Sequence, residues 1–280
     1  MPDFIEGIPI FVTEEGTRPP TPGFSFQTWK EAVFATLQTI AAANSGAALF
    51  QTIRSTGRWV VVRPGEPEFS PGSDGECQMI DGRRIMGTLH FDPLAFMGGS
   101  KCYQSDLGWN SGAYPDEVCF HELVHTYQLG SGFRKRSLDG GLKSYQDTGE
   151  FFAILLANIY LSDETNHNKS GLRAGCLSHR PLEEEFSSSF GFYDSSPQVL
   201  PLMNELVVQN LSLCLAFAAV KADFNPLFAY FQNYLLAKSH SLSQTAKMRE
   251  ILVPEYSREE PFACVRSGKS CYGDVSRWRA

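Results

Sequence analysis

Apolar residues recur at intervals of three and four along much of the chain, a spacing that predicts helices with one buried face. In the first of these stretches the spaced residues are Trp29, Val33, Leu37 and Ile40. Helices are expected from Ser25 or Thr28 to about Ala43, around Ala48, Leu49 and Ile53, and over about 115–129, 148–161, 199–221 and 225–239.

Two short stretches rich in β-branched residues have the pattern of strands. Residues 58–63 read Arg-Trp-Val-Val-Val-Arg, and residues 84–91 read Arg-Ile-Met-Gly-Thr-Leu-His-Phe. Residues 64–82 between them are rich in Gly, Pro and acidic side chains, so we expect a loop there. The second strand is expected at a sheet edge, where it could pair with an extended peptide.

Composition and charge narrow the classes of function. The chain has 280 residues, of which 42% are hydrophobic and 20% are charged, as in an ordinary folded protein. Its net charge of −7 argues against nucleic acid or an anionic membrane as the main partner. The most apolar stretch, 199–220, is interrupted by polar residues, so we expect a buried helix rather than a membrane span. The start of the chain lacks the features of a classical secretion signal.

The seven cysteines are too sparse for a disulfide framework, and none forms a Cys-x-x-Cys pair with zinc-finger spacing. We therefore expect mostly buried thiols in a reducing compartment. The alternative is an oxidising environment, in which Cys264 and Cys271 could form a disulfide. Asn168 and Asn210 begin formal glycosylation sequons that are expected to be unused.

The strongest chemical signal is the pentad His121-Glu122-Leu123-Val124-His125, which lies within the helix predicted over 115–129. Residues four apart lie one turn apart on a helix, so both imidazoles can reach one zinc ion. Glu122 is displaced around the helix from both histidines, where its carboxylate can act on a zinc-bound water without being a ligand. The pentad therefore predicts two zinc ligands and a general base.

The third ligand distinguishes the classes of zinc peptidase. A metzincin has Gly and His at the third and sixth positions after the second histidine, where this chain has Gln128 and Ser131. A gluzincin-type site draws a glutamate from a later helix, and Glu150 begins such a helix, where the positive end of the dipole favours a carboxylate. The alternatives are Asp147 or Asp139 as the ligand, with Glu150 only stabilising its helix.

The predicted mechanism is Glu122-assisted attack of zinc-bound water on a peptide carbonyl, after which Glu122 returns the proton to the leaving amine. The developing oxyanion needs another donor, for which the candidates are Tyr145, Tyr160 and Arg173. The basic run 134–136 is expected to be a solvated loop. The remaining histidines have no ligand spacing and are expected to be structural or surface residues: His90, His167, His179 and His240.

The order of these features also resembles a known family. The features are the helix around Trp29 to Ile40, Ser45-Gly46 with Leu49 and Ile53, the Val-Val-Val strand, the strand ending Leu-His-Phe-Asp-Pro, HELVH, and the apolar helix led by a glutamate. Over about residues 26–165 they resemble the NleD-type effector zinc metallopeptidases, which bacteria inject into host cells. The HELVH helix with a downstream glutamate is also similar to clostridial neurotoxin light chains. The resemblance implies His121, His125 and Glu150 as zinc ligands and Glu122 as catalytic base.

These observations predict an α+β fold, a zincin-like metallopeptidase domain with a small mixed sheet, an HExxH active-site helix and a mostly helical C-terminal half. Residues 1–25 are expected to form an irregular arm, residues 26–240 the domain, and residues 241–280 an extension packed on it or trailing it. The predicted function is a zinc endopeptidase that binds one Zn²⁺ per chain and acts as a monomer on a protein or peptide substrate.

The resemblance further implies a secreted or translocated toxin or effector that acts in the cytosol of a target cell, with a host signalling protein as a candidate substrate. Neither nucleic acid nor a membrane is expected as a partner. Two alternatives stay open. One is a housekeeping zinc peptidase of the producing cell, and the other is a non-catalytic interaction module with a structural or vestigial zinc site.

Overall fold

The computed structural model describes residues 3–14, 21–65, 68–70, 79–80, 82–98, 114–138, 142, 145, 147–166 and 197–239. These residues form a small mixed sheet of six strands together with seven α-helices, so the fold is α+β as predicted. The strands are β1 (Asp3–Phe4), β2 (Ile10–Val12), β3 (Arg58–Arg63), β4 (Glu68–Ser70), β5 (Met79–Ile80) and β6 (Arg83–His90). The helices are α1 (Phe26–Ala42), α2 (Asn44–Ser55), α3 (Pro115–Ser131), α4 (Thr148–Ser162), α5 (Leu200–Gln209), α6 (Leu211–Ala218) and α7 (Pro226–Ser239).

Three parallel strands form the centre of the sheet. The order is β1-β2-β3-β6-β4; β2, β3 and β6 run parallel, whereas β1, β4 and β5 are antiparallel to their neighbours. Successive residues alternate between the two faces, so Val60 and Val62 belong to the main core while Val61 lies in a smaller cluster on the other face. On that second face, the guanidinium of Arg83 lies 4.9 Å from the ring centroid of Trp59.

The two predicted strands are confirmed, but four shorter ones were not expected. β1 and β2 lie within the stretch predicted to be an irregular arm, so that prediction is wrong for residues 10–12, which are buried beside β3. β4 and β5 lie within the predicted loop over 64–82. Because they pair with β6 on the side away from β3, β6 is not an edge strand, and the expectation that a substrate pairs with it there is wrong.

The first helix forms where its periodicity predicts. Ser25 is its N-cap, and the Ser25 hydroxyl accepts a hydrogen bond from the Thr28 amide over 3.1 Å. The residues spaced three and four apart are buried, and the indole of Trp29 donates to the carbonyl oxygen of Phe91 over 2.9 Å. This bond fixes α1 to the end of β6, just before the 3₁₀ turn Pro93–Gly98.

The helix predicted over 199–221 is in fact two helices, α5 and α6, with a bend of 109° between them. The break is at Asn210, whose side-chain amide donates to the carbonyl oxygen of Leu206 over 3.2 Å. Asparagine competes in this way with the backbone of a helix. Asn210 is also only 3% exposed, which leaves no room for a glycan on this sequon in the folded protein.

Among the described residues, no single helix is both long and apolar enough to cross a membrane. The pairs α1–α2 and α5–α6 pass that test only when each is counted as one sharply bent segment, by length and composition alone.

The core is centred on α4, in which every residue from Phe151 to Leu161 is buried. A helix that is apolar on all sides belongs in the interior. Helix α3 packs against α4, β6 and α1, so the HExxH helix lies between the sheet and the most buried helix. The Asp163 carboxylate joins this layer to α2, accepting from the amide of Ser45 over 2.7 Å and from its hydroxyl over 2.6 Å.

Two cysteines in the described part of the chain, Cys119 and Cys214, are free thiols. Both are fully buried, and burial raises the pKa of each thiol. They match the expectation of buried thiols. Cys264, Cys271, the Asn168 sequon and the predicted extension over 241–280 lie outside the described residues.

Candidate metal centre

Helix α3 begins and ends much as its sequence predicts. Pro115 is at its start, followed by two acidic residues in the first turn. It ends at Gly132, which has a φ of 74° and therefore adopts a left-handed conformation that glycine favours. Gly130, just beyond the predicted helix end at about residue 129, lies within the last turn. A Cβ there would be 2.0 Å from Cγ of Met86, so Gly130 permits the close approach of α3 to β6.

The start of α4 is fixed by the chain that follows α3. Ser137 forms an antiparallel bridge with Asp147, and the amide of Thr148 donates to the carbonyl oxygen of Arg136 over 2.9 Å. Asp147 is the N-cap of α4, and its Oδ1 accepts from the amide of Glu150 over 2.9 Å. Asp147 therefore caps the helix, which leaves the carboxylate of Glu150 for another role. Asp139, the other alternative ligand, lies outside the described residues.

The side chains of His121, His125 and Glu150 converge on one point. The two imidazole Nε2 atoms lie 3.0 Å apart. Oε2 of Glu150 lies 3.3 Å from His121 Nε2, and Oε1 lies 3.0 Å from His125 Nε2. One ligand atom from each residue can be chosen so that all three lie within 4.8 Å of one another. The sequence thus identified two helices that place three donors at one site.

These separations suit a small cation with nitrogen and oxygen ligands. Zinc bonds of about 2.0–2.1 Å in a tetrahedron place neighbouring ligand atoms about 3.3 Å apart. The two Nε2 atoms are 3.0 Å apart, and a carboxylate oxygen lies 3.3 Å (Oε2) from the first and 3.0 Å (Oε1) from the second, all close to that value. In the part of the chain that the structure describes, this is the sole group of three or more His, Cys, Asp or Glu side chains spaced for a metal ion.

The electrostatics of the group also favour a cation. Burial raises the pKa of Glu150, but hydrogen bonds from both imidazoles and their positive charges outweigh it, so the carboxyl pKa lies below its usual range. Burial lowers the pKa of His125, but its hydrogen bond to Glu150 and the charges of Glu122 and Glu150 raise it further than burial lowers it. The group therefore favours positive charge at the point where the three side chains converge.

Glu122, the predicted general base, is only partly buried, whereas both histidines are 2% exposed. After the hydrogen bond from His125 to Glu150, the charge of Glu122 is the next cause that raises the pKa of His125. The side chain thus lies near the group, as the pentad predicts, without belonging to the set of three converging donors.

The structure does not bring all three candidate oxyanion donors to this point. Tyr160 lies ten residues after Glu150 in α4, about 15 Å along the helix, and its hydroxyl donates to Asp116 over 2.6 Å. Tyr145 is nearer in the sequence, but it is 1% exposed and its ring packs edge-on against Phe151 at 4.8 Å. Arg173 lies outside the described residues.

The basic run 134–136 is exposed, as expected, but its members differ in surroundings. Arg136 forms an ion pair with Glu205 over 2.7 Å. The side chain of Lys135 lies along the start of α4, where its Cε would be only 2.7 Å from a Cβ added at Gly149. Its charge lowers the pKa of His125, in opposition to the nearby carboxylates. One cation of the predicted solvated loop therefore acts on the candidate metal site of His121, His125 and Glu150.

Gln128 contacts the site although the sequence reasoning used it only to exclude a metzincin. Its Oε1 lies 3.1 Å from Nδ1 of His125. The signal was present in the sequence, because residues three apart on a helix share a face.

Comparison with protein-family models, curated proteins and solved structures gave no match to this chain.

Proposed function

We propose that this protein is a zinc-dependent endopeptidase. The observation that carries the proposal is the convergence of His121, His125 and Glu150 beside Glu122, on two helices packed against each other. Two imidazoles and a carboxylate are a donor set found in catalytic zinc sites. In this proposal the three residues hold one Zn²⁺ per chain. When bound, zinc would polarise a substrate carbonyl and make a water molecule more acidic.

Glu122 supplies the proton transfers in the proposed reaction. It neighbours His121 in the sequence, so it is turned about 100° around the helix from that ligand. It is more exposed than either histidine, so part of this residue reaches solvent. As a general base it takes a proton from the attacking water, and as a general acid it then protonates the leaving amine.

The degree of exposure favours a catalytic site over a purely structural one. Structural zinc sites are closed by four protein ligands, whereas catalytic sites have three and keep one position open. Within the described ranges three donors converge, and the Glu150 side chain retains 17% exposure while the histidine side chains retain 3%. One side of the group thus reaches solvent, as hydrolysis requires.

The proposed substrate is a protein or peptide, and the proposed setting is a toxin or effector that acts in a target cell. Both rest on the resemblance to NleD-type effector metallopeptidases, as does a host signalling protein as the target. A monomer suffices for the chemistry, because one chain supplies all three donors and the general base.

The test is N-terminal peptide profiling of a target-cell lysate treated with wild-type protein or with Glu122→Gln. We expect a small set of new N-termini with the wild type and a loss of about 100- to 10,000-fold in their rate of formation with the variant. Both proteins should bind zinc equally. Glu31→Gln, an exposed substitution of the same kind on α1, is the matched control and should behave as wild type.

Two other results would indicate a different function. Broad cleavage of short peptides, lost in Glu122→Gln, would indicate a housekeeping peptidase. Stoichiometric zinc without cleavage of any substrate would contradict the endopeptidase proposal and indicate an interaction module.

A further inference from the structure

Gln128 connects the two helices that carry the metal-binding group. It lies in α3, three residues after His125, and is 1% exposed. Its Oε1 lies 3.1 Å from Nδ1 of His125, and its Nε2 donates to the carbonyl oxygen of Gly149 over 2.9 Å. One buried side chain therefore contacts a ligand on α3 and the residue that immediately precedes the ligand on α4.

The carbonyl of Gly149 determines how the Gln128 amide is oriented. A carbonyl oxygen can only accept hydrogen bonds, so the amide group that faces it must be the NH₂. The oxygen of Gln128 then faces His125 and can only accept, which requires Nδ1 of His125 to carry a hydrogen. The opposite orientation would place two acceptors against each other at Gly149 and leave a buried oxygen unsatisfied.

The protonation of Nδ1 has a direct consequence for metal binding. A neutral imidazole with its hydrogen on Nδ1 has a lone pair on Nε2. Nε2 is the atom of His125 that lies 3.0 Å from both Glu150 and His121. Once a metal ion displaces the Nε2 hydrogen that faces Glu150, the Nδ1 hydrogen held by Gln128 leaves the tautomer whose lone pair points to the centre of the group.

The hydrogen bond from Gln128 to the carbonyl oxygen of Gly149 also links the two helices beside the site. Gly149 and Glu150 are adjacent in the first turn of α4, and that turn is already held by the Asp147 cap. The bond from Gln128 fixes this turn against α3 at the level of His125. Together with the backbone contacts between 136–137 and 147–148, this bond contributes to the spacing between the carboxylate and the imidazole.

We propose that Gln128 is a positioning residue that sets the tautomer of His125 and the spacing between His125 and Glu150, so that the two bind one metal ion. This inference rests on the proposed zinc site. Methionine at position 128 would preserve the unbranched shape and remove both polar contacts. Glutamate would preserve an acceptor for His125 but place an oxygen against the Gly149 carbonyl.

The first measurement is zinc affinity by competition with a chromophoric chelator, for wild type, Gln128→Met and Gln128→Glu. Loss of a residue that orients a ligand weakens metal binding by about 10- to 100-fold, and we expect this for Gln128→Met. Gln128→Glu should fall between Gln128→Met and wild type. Gln51→Met, on the exposed side of α2, is the matched control and should bind as wild type.

The second measurement is proton NMR of the cobalt-substituted protein, in which ring N–H protons of ligating histidines are shifted away from other signals. The His125 N–H should exchange slowly with solvent in wild type and at least about tenfold faster in Gln128→Met, because its acceptor is gone. A general loss of packing would lower the melting temperature without selecting this proton. If Gln128→Met does not fold, the exchange rate of the His125 N–H in the wild type still tests the inference.

Two results overturn the inference in distinguishable ways. Wild type that binds neither zinc nor cobalt overturns the metal site and the role of Gln128 together. Wild type that binds zinc, with Gln128→Met equal to it in affinity and in His125 N–H exchange, overturns the role of Gln128 alone, as does a fast-exchanging His125 N–H in cobalt-loaded wild type.

Discussion

The hydroxyl of Tyr160 donates to Oδ2 of Asp116 over 2.6 Å and thereby joins the end of α4 to the start of α3. Both residues are buried, and the Tyr160 ring stacks on Phe120 with centroids 4.5 Å apart. Burial raises the pKa of Tyr160, and the charge of Asp116 raises it further, so the hydroxyl remains a donor. The candidate metal site of His121, His125 and Glu150 lies near the middle of α3 and at the start of α4.

This arrangement predicts a structural role for Tyr160. Tyr160→Phe keeps the stacked ring and removes one donor from a buried carboxylate, so the free energy of unfolding should fall by about 1–3 kcal/mol. Urea denaturation of the zinc-loaded protein measures this change. Zinc affinity and peptide hydrolysis should match the wild type. A large fall in turnover at unchanged stability would instead indicate that Tyr160 takes part in the reaction.

Gly130 allows α3 to lie directly on β6, and alanine there should destabilise the protein. Alanine favours a helix over glycine by about 1 kcal/mol. The added Cβ would nevertheless be 2.0 Å from Cγ of Met86, and overpacking of this kind costs about 1–3 kcal/mol. We expect the overpacking to dominate, with a net loss of up to about 2 kcal/mol in urea denaturation.

A double-mutant cycle tests the cause of that loss. Met86→Ala alone should destabilise by leaving a cavity. Combined with Gly130→Ala, it should cost less than the sum of the two single changes, because the removed side chain makes room for the new methyl group. Strictly additive losses would show that Met86 is not what excludes a side chain at position 130.

The stability of the metal-free protein should depend on pH, and bound zinc should change that dependence. The lowered pKa of Glu150 contributes stability above its unfolded value of 4.5, and this is lost as the pH falls through the folded value. The raised pKa of His125 contributes stability below 6.5, and this is lost as the pH rises through the folded value. The pair thus stabilises the metal-free protein most between about pH 4.5 and 6.5.

Zinc needs the neutral imidazole, so it must displace the proton that this pair holds. The rise in melting temperature on adding zinc should therefore be larger at about pH 8 than at about pH 6. Thermal unfolding with and without zinc measures the difference. Glu150→Gln should abolish most of it, and an equal rise at both pH values in wild type would contradict the assigned protonation.

The long elements of the fold were predictable because their signals are local. The buried face of α1 and its Ser25 cap, and the proline and glycine at the ends of α3, are all visible in the sequence. Strands of two or three residues have too short a pattern to be distinguished from loops. The buried strand β2 depends on pairing with β3, almost fifty residues later. The break at Asn210 depends on one polar side chain in an apolar run.

The candidate site likewise has one part that the sequence predicts and another that depends on how the helices pack. The spacing of His121 and His125 is a property of one helix, so the sequence predicts it. The position of Glu150 depends on how α4 packs against α3, and the helix dipole and the apolar pattern only made it the best candidate. Tyr160 is near Glu150 in the sequence, but ten residues of helix place it about 15 Å further along α4.

The most direct test of the account is the zinc content of purified protein after dialysis against dilute zinc, compared with that of His121→Ala and Glu150→Ala. Three donors from one chain predict one zinc ion per wild-type chain and little or none in either variant, with folding checked by circular dichroism. A wild type without zinc, or variants that keep a full zinc ion, would contradict the assignment of His121, His125 and Glu150 as its ligands.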